Sequence, residues 1–358
     1  MIIGACGFGS TGSSVVTDYL KEFDHVTVKD DLEFTWVSSV DGLIDLERAV
    51  MHPHNRTSDS ISAIQRFLGA AERKKNSYSR HGLSAETFSR SAQELIDGIT
   101  TTKWYWYGGE AYKYKLRSKY FFHALMKNKI IPRMEKKLGH HASCWPLREV
   151  RISILPENFY ELAQKHVDEI LRAMGLDQNA IVALDQPFAG NNPQACFPFF
   201  KDPYAVVVDR DPRDNYVFAR TRMLGKFHFM PIDRVEDFIA YYRALRKDQP
   251  YLRDDSRILR IRFEDLVYEY DKTSKQLREF LRLPENPRPR SVFEPDLSIA
   301  NTQVFKRFPQ FAKDVAVIEK ELPEYLFDYS HYPEPDRSKK MFYGKSPLHE
   351  KFRKGFSE

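Results

Sequence analysis

Ile2-Ile3-Gly4-Ala5-Cys6 leads directly into Gly7-Phe8-Gly9-Ser10-Thr11-Gly12-Ser13-Ser14. The first five residues are a short apolar run ended by glycine, the pattern of a buried strand. Val15, Val16, Tyr19 and Leu20 then recur at helical spacing. A glycine-rich turn between strand and helix points backbone N–H groups at an anion, and the helix dipole adds to the attraction. An ordinary tight turn would make the same connection. It does not need three glycines and four hydroxyls in eight residues.

Three templates share this turn. Gly7, Gly9 and Gly12 match the dinucleotide fingerprint G-x-G-x-x-G. Asp30 and Asp31 follow the apolar run Val26-Thr27-Val28, where a ribose-binding carboxylate would stand. Gly7 and Gly12 also fit the ATP/GTP P-loop, but Ser13 occupies the lysine position. That lysine reaches the β- and γ-phosphates, so its absence argues against a kinase or NTPase. The third template is a P-loop that holds one 5′-phosphate and dispenses with the lysine.

Outward from the turn, strands and helices alternate. Residues 41–50, 58–73, 84–99 and 157–174 read as amphipathic helices, the last stopped by Gly175. Residues 181–184, 204–208 and 258–261 read as strands, with helices at 214–223, 235–245, 272–281 and 314–322. This order predicts a three-layer α/β/α fold of P-loop type, with a central parallel sheet. Residues 41–175 become a large helical insertion or lid on the acceptor side of a single domain, 1–332. Residues 333–358 become a loosely packed basic tail.

The second half chooses among the templates. Val206-Val207-Val208-Asp209-Arg210-Asp211-Pro212-Arg213-Asp214 ends a buried strand and starts a helix. Pro212 suits the first helical turn and Asp211 its N-cap. Arg210 lies at the C-terminal end of the strand, where α/β sheets bind ligands, and an arginine there suits a second phosphate. The plainer reading of Arg210 is a surface ion pair with Asp211 or Asp214.

At this point the sequence resembles the sulfotransferases. Ser10-Thr11-Gly12-Ser13-Ser14 is similar to their 5′-phosphosulfate loop, and the Arg210 stretch to their 3′-phosphate motif. Ile261-Arg262-Phe263-Glu264-Asp265-Leu266 resembles their [RK]-[YF]-E-D-L segment. Ser298-Ile299-Ala300-Asn301 with Lys306-Arg307 resembles the late loop that closes over the nucleotide. The four matches come in the family's order, whereas the dinucleotide reading explains only the first.

The resemblance implies transfer of a sulfuryl group from 3′-phosphoadenosine 5′-phosphosulfate (PAPS) to an acceptor hydroxyl, without a metal. Gly9, Ser10, Thr11, Gly12, Ser13 and Ser14 would form the 5′-phosphate loop. Arg210 with Lys306 or Arg307 would hold the 3′-phosphate. Placing donor and acceptor in line would be much of the catalysis. Carbohydrate-acting relatives often use a Glu shortly after the second strand as base, which nominates Glu33, with Asp185 second and Asp31 third. Ser10 stands where the family usually has Lys or Arg, leaving Lys29, Lys103 and Lys115 as candidate cations. Phe218 stands where the family often has a phosphate-binding Ser, so Arg213, Arg220 or Arg222 would compensate.

Trp104-Tyr105-Trp106-Tyr107-Gly108-Gly109 does not pattern as a plain helix, and with the Lys/Arg-interleaved aromatics up to Phe122 it suits a glycan, or a sterol or lipid, acceptor. A helix with its aromatics turned inward is the plainer account from Lys113 onward.

Composition narrows the alternatives. The net charge of +5 on 358 residues, without a basic stripe, argues against a nucleic-acid partner. Mean hydropathy is −0.54, and no apolar run approaches the ~18–20 residues that span a bilayer. Cys6, Cys144 and Cys196 are far apart and odd in number, which suits reduced thiols and a cytoplasmic setting. No signal peptide is visible, so the Asn55-Arg56-Thr57 sequon is read as chance. His52 and His54 lack a third ligand, so no metal is expected. A dinucleotide oxidoreductase and a non-catalytic nucleotide binder remain the other classes.

Overall fold

The computed structural model describes residues 1–52, 57–106, 148–177, 180–222, 230–247 and 255–336, with residues 130, 132, 133, 137, 338, 339 and 341. His54, the Asn55 sequon, Lys115, Cys144 and the aromatic stretch from Tyr107 to Phe122 lie outside the described residues. The chain divides into two compact units, Met1–Ser38 with Met174–Glu358, and Ser39–Ala173.

The first unit is built on five parallel strands: β1 (Ile2–Gly7), β2 (Val26–Glu33), β5 (Ile181–Asp185), β6 (Pro203–Asp209) and β7 (Ile258–Arg262). Their order is β2-β5-β1-β6-β7. β1 is central because both its faces are apolar; Ile2, Ile3, Ala5 and Cys6 are all fully buried. A strand covered on both sides reads as a continuous hydrophobic run and not as an alternation.

Ile3 and Ala5 face one core with Val206, Val208 and Ile261. Against them pack Val15, Val16, Tyr19 and Leu20 of α1 (Ser14–Leu20), and Leu266 of α8 (Phe263–Tyr268). Leu277 and Leu281 of α9 (Tyr270–Leu281) complete that layer. On the Gly4 side lies an aromatic group, Phe188, Phe197 and Phe200, with ring centroids 5.2 Å apart for each Phe188 pair. A second core joins α6 (Pro212–Arg222), α7 (Val235–Arg246) and α10 (Ala312–Glu321) through Tyr216, Phe238, Tyr242 and Ile318. The fold is thus α/β, a central parallel sheet flanked by helices.

The second unit contains α2 (Leu43–Met51), α3 (Thr57–Ser79), α4 (Ala85–Ile99) and α5 (Phe159–Ala173). It also contains an antiparallel pair, β3 (Thr102–Trp106) with β4 (Arg148–Ile152), so it is not purely helical as expected. Trp104 and Tyr105, expected to break a helix pattern, stand on β3 and are 40% and 69% exposed. Inside the unit, Ser91 Oγ meets His166 Nδ1 at 2.7 Å against Phe88. Burial pushes the His166 pKa down to about 3.

The start of the C-terminal tail, expected to be loose, is tied to the first unit. Gln303 Nε2 donates to Pro333 O at 2.9 Å, and Lys306 pairs with Glu334 at 3.1 Å. Among the described residues no helix is long and apolar enough to cross a membrane.

Candidate functional site

β1 ends at Gly7, and the chain turns over the C-terminal edge of the sheet before α1. Gly9, Ser10 and Gly12 have φ of 85°, 52° and 84°, the left-handed backbone that gathers successive N–H groups on one side of a turn. The N–H groups of residues 9–14 find no protein acceptor among the described residues. One bond inside the turn and two from outside it hold its shape. Phe8 N–H donates to Thr11 Oγ1 at 3.2 Å, Asn215 Nδ2 to Gly9 O at 3.0 Å, and Arg210 Nη1 to Ser10 O at 3.3 Å. Thr11 is buried, so its hydroxyl serves the scaffold of the loop. Gly9, Ser10, Gly12, Ser13 and Ser14 are half-buried.

Close packing fixes two glycines here. A Cβ on Gly12 would lie 2.8 Å from the Phe263 ring, and one on Gly190 would lie 2.4 Å from Gly7 O.

Arg210 follows β6 and is only 3% exposed, which rules out the surface ion pair. Its Nη2 donates to Asn301 O, so with the Ser10 bond it ties the loop to the late segment Ile299–Asn301. The guanidinium lies over Phe218 at 4.8 Å and Phe263 at 5.1 Å. Phe218, which stands where the resemblance expects Ser, is therefore a wall of the arginine's pocket. Arg210 Nε has no partner among the described residues.

Arg307 Nη1 donates to Ala300 O at 3.0 Å, the carbonyl next to the one Arg210 holds. Lys306 is exposed and bonded to Gln303 and Glu334. Arg210, Lys306 and Arg307 are thus gathered around residues 300–307.

The neighbouring motifs are mostly structural. Asp211 caps α6, accepting from Arg213 N–H at 2.8 Å. Arg213 is spent on Asp211, Glu319 and Phe327 O, so it is not a spare phosphate ligand, whereas Arg220 makes only a 3.7 Å pair with the exposed Asp233 and its buried Nε has no partner among the described residues. The Arg222 side chain lies outside the described residues. Glu264 accepts from Asp211 N–H at 3.0 Å. Burial first, then the charges of Asp211 and Asp214, push the Glu264 pKa up to about 8. Tyr329 donates to Asp214 Oδ2 at 2.7 Å, and burial raises that carboxyl to about 6.

The first two of the three carboxylates nominated as base meet across the sheet. Lys29 pairs with Leu184 and Glu33 with Asp185, so β2 advances four residues while β5 advances one. A bulge of this kind re-aims side chains, and bulges recur beside active sites. It sets Glu33, the last residue of β2, opposite Asp185, the last of β5. Asp185 is buried, and burial raises its pKa to about 8, with the charges of Glu33 and Asp30 adding to the effect. Glu33 is exposed at the rim, yet the protein around its carboxyl still shifts its pKa upward. Asp31 is paired with Lys29 at 3.1 Å, and Asp30 with Lys21 at 2.5 Å.

That pairing also commits Lys29 away from the loop. Lys103 sits on β3 in the other unit, paired with Glu149 at 3.4 Å. The structure instead offers two arginines. Arg246 lies over Phe8 at 4.1 Å but is neutralised by Asp209. Arg260 donates to Gly190 O at 3.2 Å and has no ion pair among the described residues. A charged residue inside the apolar run Ile258-Leu259-Arg260-Ile261 was the available signal for it. Gln186 was missed altogether. Its side chain joins Gly7 N–H to Ser13 Oγ.

No group of three metal-ligating side chains occurs among the described residues. No family model matches the chain, and no curated protein matches it. Among solved structures, the chain is similar to one titled "Sulfotransferase Domain from the Curacin Biosynthetic Pathway". The TM-score is 0.31 at 12% identity, covering 100% of this chain and 97% of the other.

Proposed function

We propose that this chain is a PAPS-dependent sulfotransferase that moves a sulfuryl group to an acceptor hydroxyl, with a glycan as the first acceptor class and a sterol or lipid as the second. The observation that supports it most is the turn at residues 9–14. Among the described residues its N–H groups lack protein acceptors, and Arg210 anchors it to the late segment. Such a turn at the edge of a parallel sheet suits a phosphate.

In this reading the loop N–H groups with Ser13 and Ser14 hold the 5′-phosphate, which leaves. Arg210, with Lys306 or Arg307, receives the 3′-phosphate. Arg260 supplies the positive charge that Ser10 cannot. Glu33 takes the acceptor proton as the hydroxyl attacks sulfur in line, and Asp185, which keeps its own proton near neutrality, leaves Glu33 the single ionised carboxylate of the pair. No metal is required by this scheme, and we place the reaction in the cytoplasm.

The strand order weighs against the dinucleotide reading. In that fold the second strand adjoins the first, in the order 3-2-1-4-5-6. Here β5 lies between them, which moves Asp30 and Asp31 a further ~4.8 Å away. Asp30 is also held by Lys21.

The test is incubation with PAPS and a panel of glycan, sterol and lipid hydroxyls. Release of adenosine 3′,5′-bisphosphate should depend on the acceptor. Glu33→Gln should keep nucleotide binding and lose about 10²–10⁴-fold in turnover. Bisphosphate binding without acceptor-dependent release would favour a non-catalytic nucleotide binder instead.

A further inference from the structure

Immediately after β5 the backbone enters the left-handed region at Gln186, with φ of 53°. Residues held at such angles without being glycine gather at functional sites, where surrounding contacts enforce them. Here the contacts are visible. Gln186 N–H donates to Ala5 O at 2.9 Å, joining the ends of β5 and β1. Its side chain then reaches into the turn. Oε1 accepts from Gly7 N–H at 3.2 Å, and Nε2 donates to Ser13 Oγ at 2.8 Å. A backbone N–H can only donate, so Gly7 fixes which end of the amide is oxygen and which is nitrogen.

Ser13 Oγ is therefore an acceptor towards Gln186, and its proton must point elsewhere. Ser13 stands at the N-cap of α1, yet its side chain caps nothing. Among the described residues no group takes the Ser13 proton. The turn that carries it also carries the unaccepted N–H groups of residues 9–14.

Resting on the nucleotide reading above, we propose that Gln186 is a positioning residue. It holds the Ser13 hydroxyl with its lone pair turned away, so that the hydroxyl donates to the phosphate bound in the turn. Without Gln186 the hydroxyl rotates freely and can present its lone pair to the anion. The geometry also explains the left-handed backbone, since it lets one side chain reach both Gly7 and Ser13.

The test is calorimetric binding of adenosine 3′,5′-bisphosphate to the full chain and to Gln186→Met, Gln186→Glu, Ser13→Ala and the Gln186→Met/Ser13→Ala double variant. A hydrogen bond to a charged group sets the scale, so Gln186→Met should weaken binding about ten- to a hundredfold. In the Ser13→Ala background the same change should cost no more than about twofold, because coupled residues are not additive. Gln186→Glu keeps the Gly7 bond and the side-chain shape but cannot donate to Ser13. It should lose at least as much affinity as Gln186→Met.

Unaltered affinity in Gln186→Met, or equal losses with and without the Ser13 hydroxyl, would overturn the proposal while leaving the nucleotide reading intact. Absence of binding by the unaltered protein would overturn the nucleotide reading, and the role of Gln186 with it.

Discussion

Glu33 and Asp185 differ because one lies at the rim of the sheet and the other beneath it. Asp185 is pushed up to about 8, chiefly by burial, and stays protonated at neutral pH. Glu33 is raised less and is the group available to accept a proton. The rate should therefore rise with pH as Glu33 ionises, then fall near pH 8 as Asp185 adds a second charge beside it. The two limbs report the pair and not either residue alone. Asp185→Asn should abolish the alkaline limb and keep the acid one, measured as kcat against pH. An alkaline limb unchanged in that variant would contradict the pairing. Each carboxylate was nominated from the sequence only through the resemblance, which implies a base shortly after the second strand. Their adjacency was not legible, since it depends on a bulge that shifts the β2–β5 register. The roles of Gln186 and Arg260 were hidden for a similar reason, although Arg260 stood out as a charge in an apolar run. Their partners Gly7, Ser13 and Gly190 are brought near only by strand pairing.

The turn after β1 is an element whose shape is enforced from outside, and three glycines show how. Gly82 has φ of 94° with nothing within 4 Å of an added Cβ, so Gly82→Ala meets only backbone strain, about 1–2 kcal/mol. Gly12→Ala adds a clash with the Phe263 ring, and overpacking costs a further ~1–3 kcal/mol. Gly190→Ala meets the backbone of Gly7, which cannot rotate away. Chemical denaturation should rank Gly12→Ala as more destabilising than Gly82→Ala, and Gly190→Ala should weaken nucleotide binding where Gly82→Ala does not. The strands β1, β5 and β6 were readable because burial on both faces makes them apolar runs, and the edge strand β7 by Ile258, Leu259 and Ile261 around an exposed Arg260. Only Val26-Thr27-Val28 of β2 was readable, since Lys29-Asp30-Asp31-Leu32-Glu33 carries the charges of the rim. β4, Arg-Glu-Val-Arg-Ile, hides one deeply buried residue, Val150, among charges. The 3-10 segment Pro193–Phe199 was missed because its prolines read as loop.

At the scale of the molecule, buried titratable groups set how stability depends on pH. The carboxyls of Asp185 and Glu264 are each raised to about 8. The folded protein therefore holds protons that the unfolded chain releases near pH 4. Their contribution is complete below that pH and is lost as pH rises through about 8. His166 works the other way. Lowered to about 3, it contributes stability above its ordinary pKa near 6.5, lost as pH falls. Between pH 6.5 and 8 only the carboxyl effect should remain, so the unliganded denaturation midpoint should fall across that window. A midpoint that rises there would contradict this account of the buried groups.

The claim that organises the molecule is that the turn at residues 9–14 and Arg210 together hold a nucleotide bisphosphate. The most direct measurement is the denaturation midpoint of the full chain with adenosine 3′,5′-bisphosphate, NAD and ATP in parallel. A ligand that binds only the folded state adds about 2.7 kcal/mol at a hundred times its Kd. The account predicts that the bisphosphate raises the midpoint, that NAD does not, and that Arg210→Ala loses the shift. A midpoint raised by NAD and not by the bisphosphate would contradict it.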